Sequence, residues 1–168
     1  MTRRHFPFPR SGLLHADNFP EPGVGGRRQR VLLLCTGNSC RSQMAEGWAR
    51  LLHGDTLDVV SAGHAPKEID DVTILIMAEA GVDISEQRSK HVDDVSDPAP
   101  DYVLTLCDSA HERCPAWPGG VPTLHVGFED PSAMLETAET PDEAIAVYRR
   151  VRDEIRELME RLPDVLGI

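Results

Sequence analysis

The stretch VLLLCTGNSCRSQMAEGW, residues 31–48, decides how the chain folds. Val31–Leu34 is a continuous apolar run, the pattern of a strand buried on both faces. Thr36–Cys40 are small, turn-favouring residues. From Ser42 onward the period changes, and Met44, Trp48, Leu51 and Leu52 fall on one face of a helix. Ligands of open α/β sheets bind beyond the carboxyl ends of the strands, and Cys35 stands at that point. The loop 36–40 runs straight into a helix N-terminus. There, successive backbone N–H groups form an anion nest backed by the helix dipole, and Arg41 adds a fork of donors suited to a tetrahedral oxyanion. Thr36, Gly37, Asn38, Ser39, Cys40 and Ser42 are the candidate substrate-binding residues. The same positive field is expected to lower the pKa of Cys35 and make it a thiolate at neutral pH, hence a nucleophile aimed at the bound oxyanion. The plainer reading is a buried cysteine ahead of a helix-start arginine. Cys-x5-Arg alone is a weak pattern, but between an apolar run and a helical period it is a specific one.

Outward from this unit the chain alternates strand and helix. Leu57–Ser61, Tyr102–Leu106 and Thr123–Val126 read as further strands. Thr140-Pro141-Asp142-Glu143 supplies an N-cap, a proline at the first helical position and a capping-box glutamate. Ala144, Tyr148, Val151, Ile155, Leu158 and Leu162 then recur every three or four residues, and Arg156 and Arg161 suit the negative end of the dipole. Val72–Met77, VTILIM, reads as a strand by β-branched content. Yet Asp70-Asp71 before it and Gly81 after it punctuate a helix, and a right-handed crossover between parallel strands needs one here; helix is the preferred reading. The sum is one α/β domain, a small parallel sheet covered on both faces, without an internal repeat.

The 168 residues carry a net charge of −11. The first thirty hold Pro7, Pro9, Pro20 and Pro22, and six arginines against Asp17 and Glu21, a local charge of +4; residues 31–168 therefore carry −15. No hydrophobic period runs through residues 1–30, which read as a flexible basic extension preceding a domain at 31–168. A basic arm also suits nucleic acid, but a solvated extension is the simpler reading. Arg3-Arg4 is not followed by an apolar h-region, and no apolar run is long enough to span a membrane. The acidic body argues against nucleic-acid and membrane partners but not against a small oxyanion. Four cysteines without a signal peptide suggest the reducing cytoplasm, where thiols are more often reactive or metal-binding than structural.

The motif CTGNSCRSQMAEGW resembles the signature of the low-molecular-weight tyrosine phosphatase superfamily, and more narrowly its thioredoxin-coupled arsenate reductases. SAGHAPKEIDD, AGVDISEQRSKH, VLTLCDSAHERCP and GFEDP extend the resemblance from Val31 to Pro163. It implies a four-stranded parallel sheet with helices on both faces. It also implies a relay: Cys35 attacks arsenate, Cys107 attacks Cys35 and releases arsenite, and Cys114 takes over the disulfide, which thioredoxin reduces. Seven residues of α-helix would hold Cys107 and Cys114 about 10 Å apart, beyond disulfide reach, so their pairing requires that segment to unwind. Asp130 corresponds to the acid that protonates the departing oxygen. Ser132 stands where the phosphatases often carry tyrosine, which disfavours a phosphotyrosine substrate. Some of these reductases bind potassium; the matching positions are Asn38, Glu46 and Ser61, with Lys90 in place of the family's aspartate, so an ammonium pairing with Glu46 is expected instead of a metal. No bound cofactor is expected, and the protein is expected to be a monomer. Three alternatives stay open: a phosphomonoesterase using the same loop, a non-enzymatic thiol redox sensor, and, for Cys107, a small core residue or a zinc ligand.

Overall fold

The computed structural model describes residues 27–107 and 120–168. Most of the basic extension (residues 1–26), and Cys114 with the segment around it, lie outside the described residues. The order is β1 (Gln29–Cys35), α1 (Arg41–His53), β2 (Leu57–Gly63), α2 (Asp71–Glu79), a short 3-10 helix (Val92–Val95), β3 (Tyr102–Thr105), β4 (Thr123–His125), α3 (Pro131–Thr137), α4 (Pro141–Glu160) and α5 (Leu162–Leu166). The four strands form one parallel sheet in the order β2-β1-β3-β4. β1 is central, with Cys35 opposite Gly63 on β2 and Leu34 opposite Thr105 on β3.

The alternation of β1 divides the core. Val31 and Leu33 face a large cluster built with Met44, Trp48, Ile76, Tyr148 and Ile155 from α1, α2 and α4. Leu32, Leu34 and Cys35 face a smaller one with Val92, Val95, Val103 and Cys107. β1 begins at Gln29, two residues inside the segment read as extension. Asp101, the residue before β3, explains this: its carboxylate accepts from Arg30 N at 2.6 Å and pairs with Arg27 at 2.7 Å.

VTILIM is helical despite its β-branched content. Asp70 caps α2 by accepting from Val72 N at 3.1 Å, and Ile76 and Met77 are fully buried. Thr140 caps α4 by accepting from Glu143 N, while the Glu143 carboxylate reaches back to Glu139 N at 3.0 Å rather than to the cap residue's own amide. On α1 the expected face is corrected. Leu51 is 62% exposed and Leu52 39%, whereas Met44, Ala45, Trp48 and Ala49 are buried. The two alanines carry little hydrophobic signal but let α1 approach the sheet closely, and this turns the buried stripe away from the leucines. Among the described residues no helix is long and apolar enough to cross a membrane.

Candidate active site

β1 delivers Cys35 to the carboxyl edge of the sheet, and the chain turns through residues 36–40 into α1. Each carbonyl from Thr36 to Ser39 is fastened from outside. Thr36 O accepts from Ala65 N (3.0 Å), Gly37 O from Lys67 N (2.9 Å) and Ser89 Oγ (3.3 Å), Asn38 O from Gln43 Nε2 (2.9 Å), and Ser39 O from Asp70 N (3.1 Å). With the carbonyls drawn outward the amides turn to the interior, where Asn38 N donates to Cys35 Sγ at 3.2 Å. This is the geometry of an anion nest. Asn38 adopts φ +45°, a left-handed conformation that asparagine tolerates. Gly63 makes room beside it, since a Cβ there would lie 2.5 Å from Thr36 O and 2.9 Å from Asn38 N.

Cys35 is buried, with Sγ 2.8 Å from Ser42 Oγ. Burial pushes its thiol above the ordinary cysteine value, and the hydrogen bonds from Ser42 and Asn38 offset this only in part. The expected lowering is therefore overturned: the sulfur is withdrawn from water more completely than its donors compensate. The Cys107 thiol raises Cys35 further. Cys107 follows β3, is buried in the same cluster as Cys35, and has Sγ 3.5 Å from Thr36 Oγ1. The two thiols thus sit at the ends of adjacent strands on one side of the sheet.

Arg41 NH1 donates to Phe128 O at 2.9 Å, and NH2 lies 3.1 Å from Asp130 Oδ2. Asp130 also caps α3, its Oδ1 accepting from Ser132 N (3.1 Å) and Ser132 Oγ (2.7 Å). One ion pair therefore ties the Asp-Pro loop to the anion loop.

Residues 30–167, which contain all of this geometry, match the family model described as low molecular weight phosphotyrosine protein phosphatase. The chain belongs to this family. Within it, the chain is 46% identical over 125 residues to the arsenate reductase of Halalkalibacterium halodurans, an alignment covering 74% of this chain and 88% of the relative. A solved structure described as an arsenate reductase in the phosphate binding state is similar with a TM-score of 0.67 at 31% identity, covering 82% of this chain and 98% of the other. The thioredoxin-dependent arsenate reductase of Corynebacterium glutamicum is similar with a TM-score of 0.59 at 29% identity, covering 83% of this chain and 64% of the other.

In this phosphatase-family loop Cys40 has its side chain on the far side from Cys35, in the large core cluster. Burial raises its thiol strongly, a hydrogen bond with Thr73 lowering it only in part. Its contribution to the loop is its carbonyl, which accepts from Met44 N at 2.9 Å and starts α1.

The residues at the family's potassium position do meet. Glu46 is 1% exposed. Its Oε2 accepts from Ser61 N at 2.9 Å and from the Ser61 hydroxyl, and lies 3.3 Å from Lys90 Nζ; its Oε1 lies 2.6 Å from Arg50 NH2. Asn38 Nδ2 donates to Ser61 Oγ (2.8 Å) and Ser42 Oγ (2.9 Å), and Asn38 Oδ1 accepts from Lys90 N (2.8 Å). This set does not fit a potassium ion, because Lys90 brings its own positive charge to the carboxylate that would bind one.

Sequence reasoning missed the outer tethers. Gln43, fully buried, bridges Asn38 O and Arg88 O; its sequence neighbours on the helix face, Glu46, Gly47 and Arg50, gave no signal of that burial. Asp70, besides capping α2 and holding Ser39, accepts from Thr73 Oγ1 (3.3 Å) and the Tyr148 hydroxyl. Burial and the Asp70 hydrogen bond push the Tyr148 phenol up, so it stays a neutral donor.

Proposed function

We propose that this protein reduces arsenate to arsenite through a three-cysteine relay recycled by a thioredoxin-like dithiol protein. The observation that carries the reading is a second buried thiol, Cys107, packed in one cluster with Cys35 and touching the anion loop at Thr36. Hydrolysis of a phosphocysteine has no use for it. The names of the relatives point the same way.

In the proposed sequence the nest and Arg41 hold arsenate, and the Cys35 sulfur attacks arsenic. An As–O bond breaks, and Asp130 gives a proton to the departing hydroxide, which leaves as water. Cys107 then attacks Cys35 Sγ. The S–As bond breaks with its electron pair moving to arsenic, so As(V) becomes As(III), arsenite departs, and a Cys35–Cys107 disulfide remains. Cys114 attacks Cys107, regenerates the Cys35 thiol and leaves a Cys107–Cys114 disulfide, which the external dithiol reduces at the cost of its own oxidation. Burial raises the Cys35 thiol, and its proton passes to an oxygen of the bound arsenate as the sulfur attacks.

The test is arsenate-dependent NADPH oxidation with thioredoxin and thioredoxin reductase, run for wild type and Cys107→Ser beside an aryl phosphate hydrolysis control. Steady turnover that Cys107→Ser abolishes, with little ester hydrolysis, supports the relay. Fast ester hydrolysis indifferent to Cys107, with no arsenate-linked oxidation, makes the protein a phosphomonoesterase.

A further inference from the structure

We propose that Lys67 is a specificity-determining cation on the rim of the anion loop, which recruits the oxyanion and sets its affinity without entering the chemistry. Two of the cations around the loop already hold other partners. Arg41, besides its place in the nest, also serves Phe128 O and Asp130, and Lys90 is engaged with Glu46 and with Arg88 O at 2.8 Å. Lys67 is exposed, and among the described residues its ammonium has no hydrogen-bond or ion-pair partner, the adjacent Glu68 included. Yet the residue is not free to wander. Its amide is fixed to Gly37 O at 2.9 Å. Its Cγ and Cδ lie 3.9 and 3.8 Å from the place a Cβ on Gly37 would occupy. The bare backbone of Gly37 is thus the bed for the lysine stem, and the charge sits two bonds beyond Cδ. In a chain of net charge −11 an approaching anion meets repulsion everywhere except near such local cations.

The kinetic arm of the test rests on the reductase reading; the calorimetric arm does not. Titration calorimetry with inorganic phosphate, at low and at near-physiological salt, compares wild type, Lys67→Gln and Lys67→Arg. Lys67→Gln is expected to weaken phosphate binding about three- to tenfold at low salt, with Lys67→Arg close to wild type. The difference shrinks as salt screens the charge. The KM for arsenate rises by the same factor while kcat holds. An unchanged affinity in Lys67→Gln overturns the proposal, as does a loss that is equal at both salt concentrations or that arginine does not rescue, since either would mean a reshaped loop. If Lys67 governs phosphate affinity but the wild type turns over no arsenate, the reductase reading falls and the assignment of Lys67 stands. A wild type that binds no phosphate overturns both.

Discussion

Asn38→Ala is expected to destabilise the protein by an amount that separates into two parts. The side chain is fully buried, accepts from Lys90 N at 2.8 Å and donates to the hydroxyls of Ser42 and Ser61. Those hydroxyls keep other partners in Cys35 and Glu46. The Lys90 amide loses its acceptor, at about 1–3 kcal/mol. Alanine must also hold φ near +45°, which costs about 1 kcal/mol more than for asparagine. The sum, about 2–4 kcal/mol, is a large share of an ordinary domain's stability of about 5–15 kcal/mol. In urea, with an m-value of about 2 kcal/mol/M, the midpoint should drop by about 1–2 M. Asn38→Gly removes the same hydrogen bonds without the backbone strain, so its midpoint should lie about 0.5 M above that of alanine. Coincident midpoints for the two variants would refute the strain argument. A wild-type midpoint for Asn38→Ala would refute the view that the loop is held through this side chain.

Further outcomes follow from the same geometry. Gly63→Ala places a methyl 2.5 Å from Thr36 O and must displace the loop, so phosphate affinity by calorimetry should fall at least about tenfold. Lys90→Met leaves buried Glu46 with Arg50 alone and should cost about 2 kcal/mol in urea denaturation, less than a buried pair broken outright because Arg50 remains; wild-type arsenate turnover should be the same in potassium and sodium chloride at equal ionic strength. Cys35 and Cys40 are both raised above the usual thiol value near 9. Below that pH both are protonated whether folded or unfolded; above it the unfolded chain releases protons that the folded chain retains. Stability should therefore fall between pH 9 and 10.5 by up to about 1.4 kcal/mol per pH unit for each thiol, and Cys40→Ala should flatten the urea-midpoint profile.

The sheet was readable because its signals are local. Val31–Leu34 is apolar without interruption, and Thr140-Pro141 marks a helix start unaided. α2 was recoverable only through its punctuation and the need for a crossover, since its own residues favour a strand. Leu51 and Leu52 misled because helical period finds an apolar face but not how far the helix leans, which Ala45 and Ala49 decide. Cys35, Arg41 and Asp130 could be placed from order and spacing. Their states could not: the Cys35 thiol is set by burial that sequence does not display, and the Arg41 partner comes from a loop 89 residues away, at Asp130. The tethers from Ala65, Lys67 and Asp70 act through backbone amides, which every residue but proline possesses and no composition reveals.

Those tethers change where the specification of the anion site resides. The groups that would face an oxyanion inside the nest are main-chain amides, whereas the alignment of those amides is imposed by the backbone N–H groups of residues 65, 67 and 70, which are spent on the loop's carbonyls. Pro66 illustrates the rule: it lies between two donors, at a place where no N–H is asked for. A proline one step to either side would unlatch a carbonyl and let a peptide plane rotate. Proline substitutions that silence this protein can therefore fall in a surface segment outside the loop, at positions where any other residue would keep the latch.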